Sequence, residues 1–223
     1  MGFEGLAQNS YGAIASIDYL TEAASCVAVA MVNLGKFVQD LLLWSSREFG
    51  FLRLSDAFVQ CSSIMPHKRN PVSLEHARIL ASRALGQAQA VLLCAHNTPF
   101  GDTNDSEDPL QSLLFNMFGD VTRSLRLLAG LLATAEVDRD HLARRAASDF
   151  LTVTELADTL VRELGLSFRE AHGMVARAVE GSGTDDRLAA IADIFLQQNP
   201  SLEGDRAVID RALDPGASCR SGT

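Results

Sequence analysis

Aromatic residues are scarce in this 223-residue chain, at 6% of the total with one Trp and two Tyr. Strands are built from aromatic and β-branched residues, so this poverty argues against a sheet-rich fold. Only four cysteines occur, Cys26, Cys61, Cys94 and Cys219, and no two form a CxxC pair. The chain therefore reads as reduced, with Cys26 and Cys94 as buried free thiols inside apolar helical runs. The histidines His67, His76, His96, His141 and His172 lack metal-ligand spacing, and no Gly-rich phosphate loop, HExxH motif or Ser/His/Asp order is present. No signal peptide opens the chain, and no apolar run is expected to reach the ~18 residues of a membrane span, so the expected location is the cytoplasm. Positive charge is in deficit: 19 Lys and Arg against 28 Asp and Glu leave a net charge of −9. Such a chain repels nucleic acid, itself a polyanion, while leaving room for a local basic pocket that takes a small anion.

What is abundant is Ala and Leu, within a hydrophobic fraction of 47%. These residues cost least in a helix, and the length suffices for a sizeable core. From about Ser16 to Arg47 there is no Pro, and apolar residues recur around the whole circumference, from Val27, Val29 and Met31 to Leu41, Leu42 and Leu43. That pattern predicts a long helix at the centre of a bundle. Residues 48–70 read as a loop with a short helical piece near Leu54–Val59. Asn70 as N-cap and Pro71 as first helical residue would open a second long helix running to about His96. After a Gly-, Pro- and Asp-rich loop over 97–108, Asp108 and Pro109 repeat the arrangement before a third. Beyond about Ala135 the helices shorten. Thr152 with Glu155 and Ser167 with Glu170 read as capping boxes, Gly181–Gly183 ends one helix, and Thr184 starts another. The expected fold class is all-α: an elongated antiparallel helical bundle over 1–135 and a small C-terminal helical domain over 136–223.

The stretch richest in chemistry is SSIMPHKRNP, Ser62–Pro71. Two hydroxyls, two cations and an amide lie within it, and it ends where a helix begins. Unpaired backbone N–H groups and the positive end of the helix dipole thus point towards the loop. A substrate carboxylate suits such a place, with Lys68 as a point charge and Asn70 as a directional amide. On composition alone, an ordinary basic surface loop with a helix cap fits equally well.

The order of residues resembles the signature of the fumarase/aspartase superfamily, Ser-Ser-x-Met-Pro-x-Lys-x-Asn-Pro. Within it the flanks are most similar to argininosuccinate lyases: DLLLWSSREFGFLRLSDAF (Asp40–Phe58), LGLSFREAH (Leu164–His172) and GFEGLAQNS (Gly2–Ser10). The resemblance implies a lyase that removes a proton next to a carboxylate and expels an amine as fumarate forms, without metal or organic cofactor. It implies an amino-succinate substrate and a homotetramer whose active sites are shared between subunits. Matched residue by residue, Ser62 is the catalytic base. Lys68 and Asn70 hold the substrate carboxylates and the charge that develops on them. Glu75 is an acid that pairs with a histidine from elsewhere in the family's sequence, although a solvated helix-start carboxylate reads the same. Ser63 and Met65 shape the substrate-binding loop. His67 stands at a position the family varies, and His172 reads as structural.

Two departures qualify the match. The family's upstream regions, which supply a histidine and several substrate-binding residues, have no counterpart, so the chain is expected to be one part of a longer enzyme and inactive by itself. The loop Asn97–Leu110 lacks the family's Tyr, Gln and Lys and carries Asp102, Asp105, Glu107 and Asp108 instead. An anionic loop suits a guanidinium, and it equally suits a different amino-succinate, as in adenylosuccinate lyase. Cys61 replaces the family's usual Gly before the serine pair, which restricts the backbone there. Retention of the fold for assembly alone, as in the related lens crystallins, is the alternative outside enzymes.

Overall fold

The computed structural model describes residues 4–65, 67–104, 108–148, 150–183 and 188–217. Among them the only strands are four two-residue pieces, and the rest of the regular structure is helical. The chain divides into two compact units, 1–137 and 138–223. Thr184, Cys219, Asp105 and Glu107, singled out in the sequence, lie outside the described residues.

The first unit is built on three long helices: α2 (Asp18–Trp44), α3 (Val72–Ala95) and α4 (Asp108–Thr134), with a short α1 (Ser10–Ala15) before them. At 1.5 Å per residue, 27 residues make α2 and α4 roughly 40 Å long. The buried positions share one rhythm. They include, in α2, Leu20, Ala24, Val27, Met31, Val38 and Leu41; in α3, Leu74, Ala77, Ala81, Ala84, Ala88 and Val91; in α4, Leu110, Leu114, Met117, Asp120, Ser124, Leu128 and Leu131. Alternating steps of three and four keep a single seam facing its neighbour, as in coiled-coil packing.

Within the chain, α3 is the middle helix, flanked by α2 and α4. This corrects the expectation that the first long helix is central. The alanine stripe of α3 lets both neighbours approach closely, whereas α2 packs on one face and leaves Val29, Val32, Phe37 and Leu43 exposed. Cys26, Cys61 and Cys94 are likewise exposed free thiols, so the expectation of burial fails for Cys26 and Cys94 because they lie off the seam. The stretch Ser10–Trp44 also holds an 18-residue window, with a mean hydropathy of 1.6, long and apolar enough to cross a membrane by length and composition. That overturns the reading that no such run exists. Its seam residues pack with Ala81, Ala84, Ala88, Leu110 and Met117 in one protein core.

One local start also differs from expectation. Asn70 belongs to strand β3 (Arg69–Asn70), paired antiparallel with β2 (Gln60–Cys61), and α3 begins at Val72 with Pro71 as its cap. A residue before proline favours extended backbone, and Asn70 is thereby drawn into the ladder rather than the cap. Strands β1 (Leu52–Arg53) and β4 (Glu136–Val137) pair in the same unit, and a 3₁₀ turn occupies Asp56–Phe58.

In the second unit, α5 (Arg139–Ala146) precedes α6 (Val153–Leu164), α7 (Phe168–Ser182), α8 (Leu188–Gln198) and α9 (Arg206–Leu213). The last four enclose Leu156, Leu160, Val175, Ile191, Phe195 and Ile209. The Ser167–Glu170 capping box forms in both directions. The Thr152–Glu155 box does not. Buried Thr152 donates its hydroxyl to the Leu213 carbonyl at 2.9 Å, and Glu155 accepts from Thr159 and Arg162. Tertiary partners outcompeted the local cap. Helix α6 ends on Gly165 in the left-handed conformation, and α7 ends before Gly183.

Candidate active-site hairpin

The residues singled out in the sequence fall on one hairpin and the helix that follows it. Two ladder rungs, Gln60 with Asn70 and Cys61 with Arg69, close the base. Above them the Ser62 N–H donates to the Lys68 carbonyl at 3.3 Å, and the Lys68 N–H donates to the Met65 carbonyl at 2.9 Å. Ser62 and Lys68 are therefore joined across the loop by backbone.

The Ser62 hydroxyl oxygen accepts the backbone N–H groups of Ile64 and Met65, both at 3.3 Å. Two amides aimed at one oxygen are the arrangement that favours negative charge on it. Met65 contributes through its backbone at both ends, as acceptor for Lys68 and donor to Ser62, while its side chain and that of Ser63 lie exposed. Lys68 is exposed and makes no ion pair among the described residues. Asn70 is half-buried on β3. Glu75 is exposed in the first turn of α3, where its N–H is taken by the Pro71 carbonyl. The hairpin thus runs directly into the N-terminus of a 24-residue helix, whose first amides carry partial positive charge.

Of the two cations in the signature, only Lys68 remains for an anion. Arg69 is committed elsewhere: it forms an ion pair with Asp56 and donates to the Leu54 carbonyl at 2.8 Å. The guanidinium holds the Asp56 carboxyl below the usual carboxylate range, chiefly through that hydrogen bond and its charge, with a smaller contribution from Arg53. Sequence reasoning missed this partnership. Both residues lie inside the quoted segments, but nothing in a spacing of 13 residues across a loop announces a contact.

The anionic loop is seen in part. Asp102 and Asp108 are exposed, the latter as the first residue of α4. The loop is moored to α1 by Tyr11, whose hydroxyl donates to the Phe100 carbonyl at 3.3 Å and whose ring meets Phe100 edge-on at 5.9 Å. His172 stacks obliquely near Phe168, with centroids 5.9 Å apart, in the second unit. Among the described residues no group of His, Cys, Asp and Glu is arranged to hold a metal ion.

A family model described as Lyase matches residues 1–86, and one described as Argininosuccinate lyase C-terminal matches residues 150–219. Argininosuccinate lyase 2 of Agrobacterium fabrum is 43% identical over 176 residues, covering 79% of this chain and 35% of that protein. Argininosuccinate lyase of Methanosarcina acetivorans is 36% identical over 219 residues, covering 96% of this chain and 44% of that protein. The chain thus spans less than half the length of these curated relatives. Among solved structures, EDDS lyase in complex with formate superposes with a TM-score of 0.78 at 28% identity, over 96% of this chain and 44% of the other. A class II fumarase from Schistosoma mansoni shares the fold, with a TM-score of 0.72 at 19% identity over 92% and 42%.

Proposed function

Because this chain belongs to the argininosuccinate lyase family of the fumarase/aspartase superfamily, we propose that it carries the proton-abstracting hairpin of a C–N lyase that splits argininosuccinate into fumarate and arginine. The observation that carries this reading is the pair of backbone N–H groups on the Ser62 hydroxyl oxygen. A free serine hydroxyl is far from ionised at neutral pH. Amides fixed on the oxygen, with Lys68 and the α3 N-terminus nearby in the chain, lower the cost of its alkoxide.

In this mechanism Ser62 takes the proton from the carbon next to a substrate carboxylate. The electron pair left behind spreads into that carboxylate, giving a dianionic aci form. Lys68 and Asn70 bind the carboxylate and gain strength as its charge grows, so they act on the transition state as well as on binding. The pair then forms the C=C bond of fumarate, and the C–N bond breaks with its electrons going to the guanidino nitrogen. That nitrogen collects a proton and leaves as arginine. Glu75 pairs with a histidine from the portion of the family's sequence this chain does not contain. Ser63 and Met65 shape the substrate loop. No metal or organic cofactor is called for.

In the same reading residues 1–135 form the central bundle segment and 136–223 the small C-terminal domain. The protein acts in the cytoplasm in arginine biosynthesis, as a homotetramer with active sites shared between subunits. Exposed apolar side chains on α2 and α4, with Phe115 77% exposed, support association with further copies. The acidic residues Asp102 and Asp108 suit a substrate bearing a guanidinium.

The test is fumarate release, followed by ultraviolet absorbance, from argininosuccinate. The chain is assayed alone and mixed with the N-terminal half of a family member. Activity in the mixture alone supports a competent Ser62 hairpin in a shared site. Silence in both, followed by fumarate release from adenylosuccinate, would move the reading to that substrate.

A further inference from the structure

The hairpin bearing Ser62 and Lys68 is held by little of its own. Its ladder is two residues long on each strand, its described residues are exposed or half-buried, and an isolated pair of short strands is marginal in water. The segment Leu52–Asp56, by contrast, is anchored. Leu52 and Leu54 are buried with Leu74, Leu128 and Leu131. Leu52 and Arg53 pair with Val137 and Glu136, and the hydroxyls of Ser55 and Thr134 share a hydrogen bond at 3.2 Å. The end of α4 and the core thus hold this segment as a fixed strap.

Arg69 joins the two. It lies on β3, next to Lys68 and opposite Cys61, and its guanidinium reaches both the Asp56 carboxylate and the Leu54 carbonyl. An arginine fork can satisfy two acceptors in fixed directions at once, which a lysine ammonium on a flexible stem does poorly. We propose that Asp56 and Arg69 form a clasp that positions the Ser62–Lys68 hairpin on the strap, with Asp56 a positioning residue that touches no substrate. The consequence for turnover rests on the lyase reading above; the structural part does not. An exposed ion pair adds little to global stability, so loss of this one acts locally, on the hairpin. The Asp56 carboxyl, held below its usual range by Arg69, keeps its charge further into acid than a free aspartate would.

The test uses amide hydrogen exchange on the whole chain, comparing the unaltered protein with Asp56→Ala, Asp56→Glu and Asp193→Ala. The last removes a different exposed pair, Asp193 with Arg206, in the second unit. Asp56→Ala is expected to lose protection at the Ser62 and Lys68 amides while α3 keeps its own. Asp56→Glu should restore most of that protection, and Asp193→Ala should leave the hairpin untouched. Unchanged hairpin exchange in Asp56→Ala, or equal loss throughout α3, overturns the clasp. In the reconstituted enzyme, Asp56→Ala should lower kcat by about tenfold to a hundredfold with a smaller effect on KM, as a misplaced group does. A loosened hairpin with unchanged kcat would overturn the positioning role. Because exchange is read without turnover, failure of the clasp and failure of the lyase reading are separable.

Discussion

Gln87 on α3 donates its side-chain amide to the carboxylate of Asp120 on α4, at 3.3 Å across the helix seam. Asp120 is almost wholly buried, and half-exposed Arg83 reaches the same oxygen at 3.3 Å. The carbonyl oxygen of Gln87 is buried without a hydrogen-bond partner, so the amide gains its one contact from Asp120. Rotating the amide would set that oxygen against a carboxylate, which makes the observed orientation the favourable one.

Removing the carboxylate should therefore cost more than an ordinary surface substitution. Asp120→Ala leaves both ends of a half-buried amide unpaired, and the expected loss is about 1–3 kcal/mol in urea unfolding. Asp120→Asn keeps an acceptor and should lose less. Equal losses for the two would show that side-chain volume, not the hydrogen bond, matters at this seam.

The Ser167–Glu170 box is a pH-sensitive cap. Ser167 holds the Glu170 carboxyl below its ordinary value through its hydroxyl and its backbone N–H. A depressed folded-state value means that the contribution is fully present above the unfolded glutamate's pKa. It is lost as pH falls through the lower folded value. Ser167→Ala should remove an N-cap worth about 1 kcal/mol at neutral pH. The gap between thermal melts of the variant and the parent should narrow in acid but not close, because the Ser167 hydroxyl still accepts the Glu170 N–H when the carboxyl is protonated.

Gly165 ends α6 at φ +70° with open space where a Cβ would stand. Gly165→Ala thus isolates the backbone cost of the left-handed conformation. The expected destabilisation is about 1 kcal/mol, read from the unfolding midpoint, with no change in packing. Gly86, inside α3 with equally open space and no positive φ, is the contrast. Gly86→Ala should stabilise by up to about 1 kcal/mol.

In the reconstituted enzyme, Ser62→Ala should lower kcat by roughly 10²–10⁴-fold with KM little changed, since a general base acts on the chemical step. Near-normal turnover would remove Ser62 from the role of base.

The exposed apolar faces lead to a prediction about assembly. Phe115 stands on the outer side of α4, and Val29 and Val32 on that of α2. Sedimentation should find this chain self-associated, and Phe115→Glu should shift it towards smaller species. A monomer at all concentrations would refute the assembly reading.

Much of the helical layout was legible beforehand because a 3.6-residue apolar rhythm and the Ser167–Glu170 pair are local signals. The signature loop was legible for another reason: the order of Ser62, Ser63, Met65, Lys68 and Asn70 resembles a family pattern. The partners of those residues were not legible. That Thr152 caps a carbonyl at Leu213 rather than its own helix, and that Arg69 serves Asp56 rather than an anion, depends on which segments meet in space.

The sequence by itself determined that the chain is helical, where its long helices run, and which loop holds the candidate chemistry, since propensity, periodicity and motif order are properties of neighbours along the chain. Only the tertiary structure decided which of three apolar helices lies in the middle. The alanine stripe of α3 allows two close neighbours, while α2 is apolar on faces that no part of the described chain covers. It also decided that two backbone amides converge on the Ser62 oxygen and that the hairpin is tied down through Arg69. Such contacts follow from the closure of a loop, and closure depends on what the rest of the fold holds still.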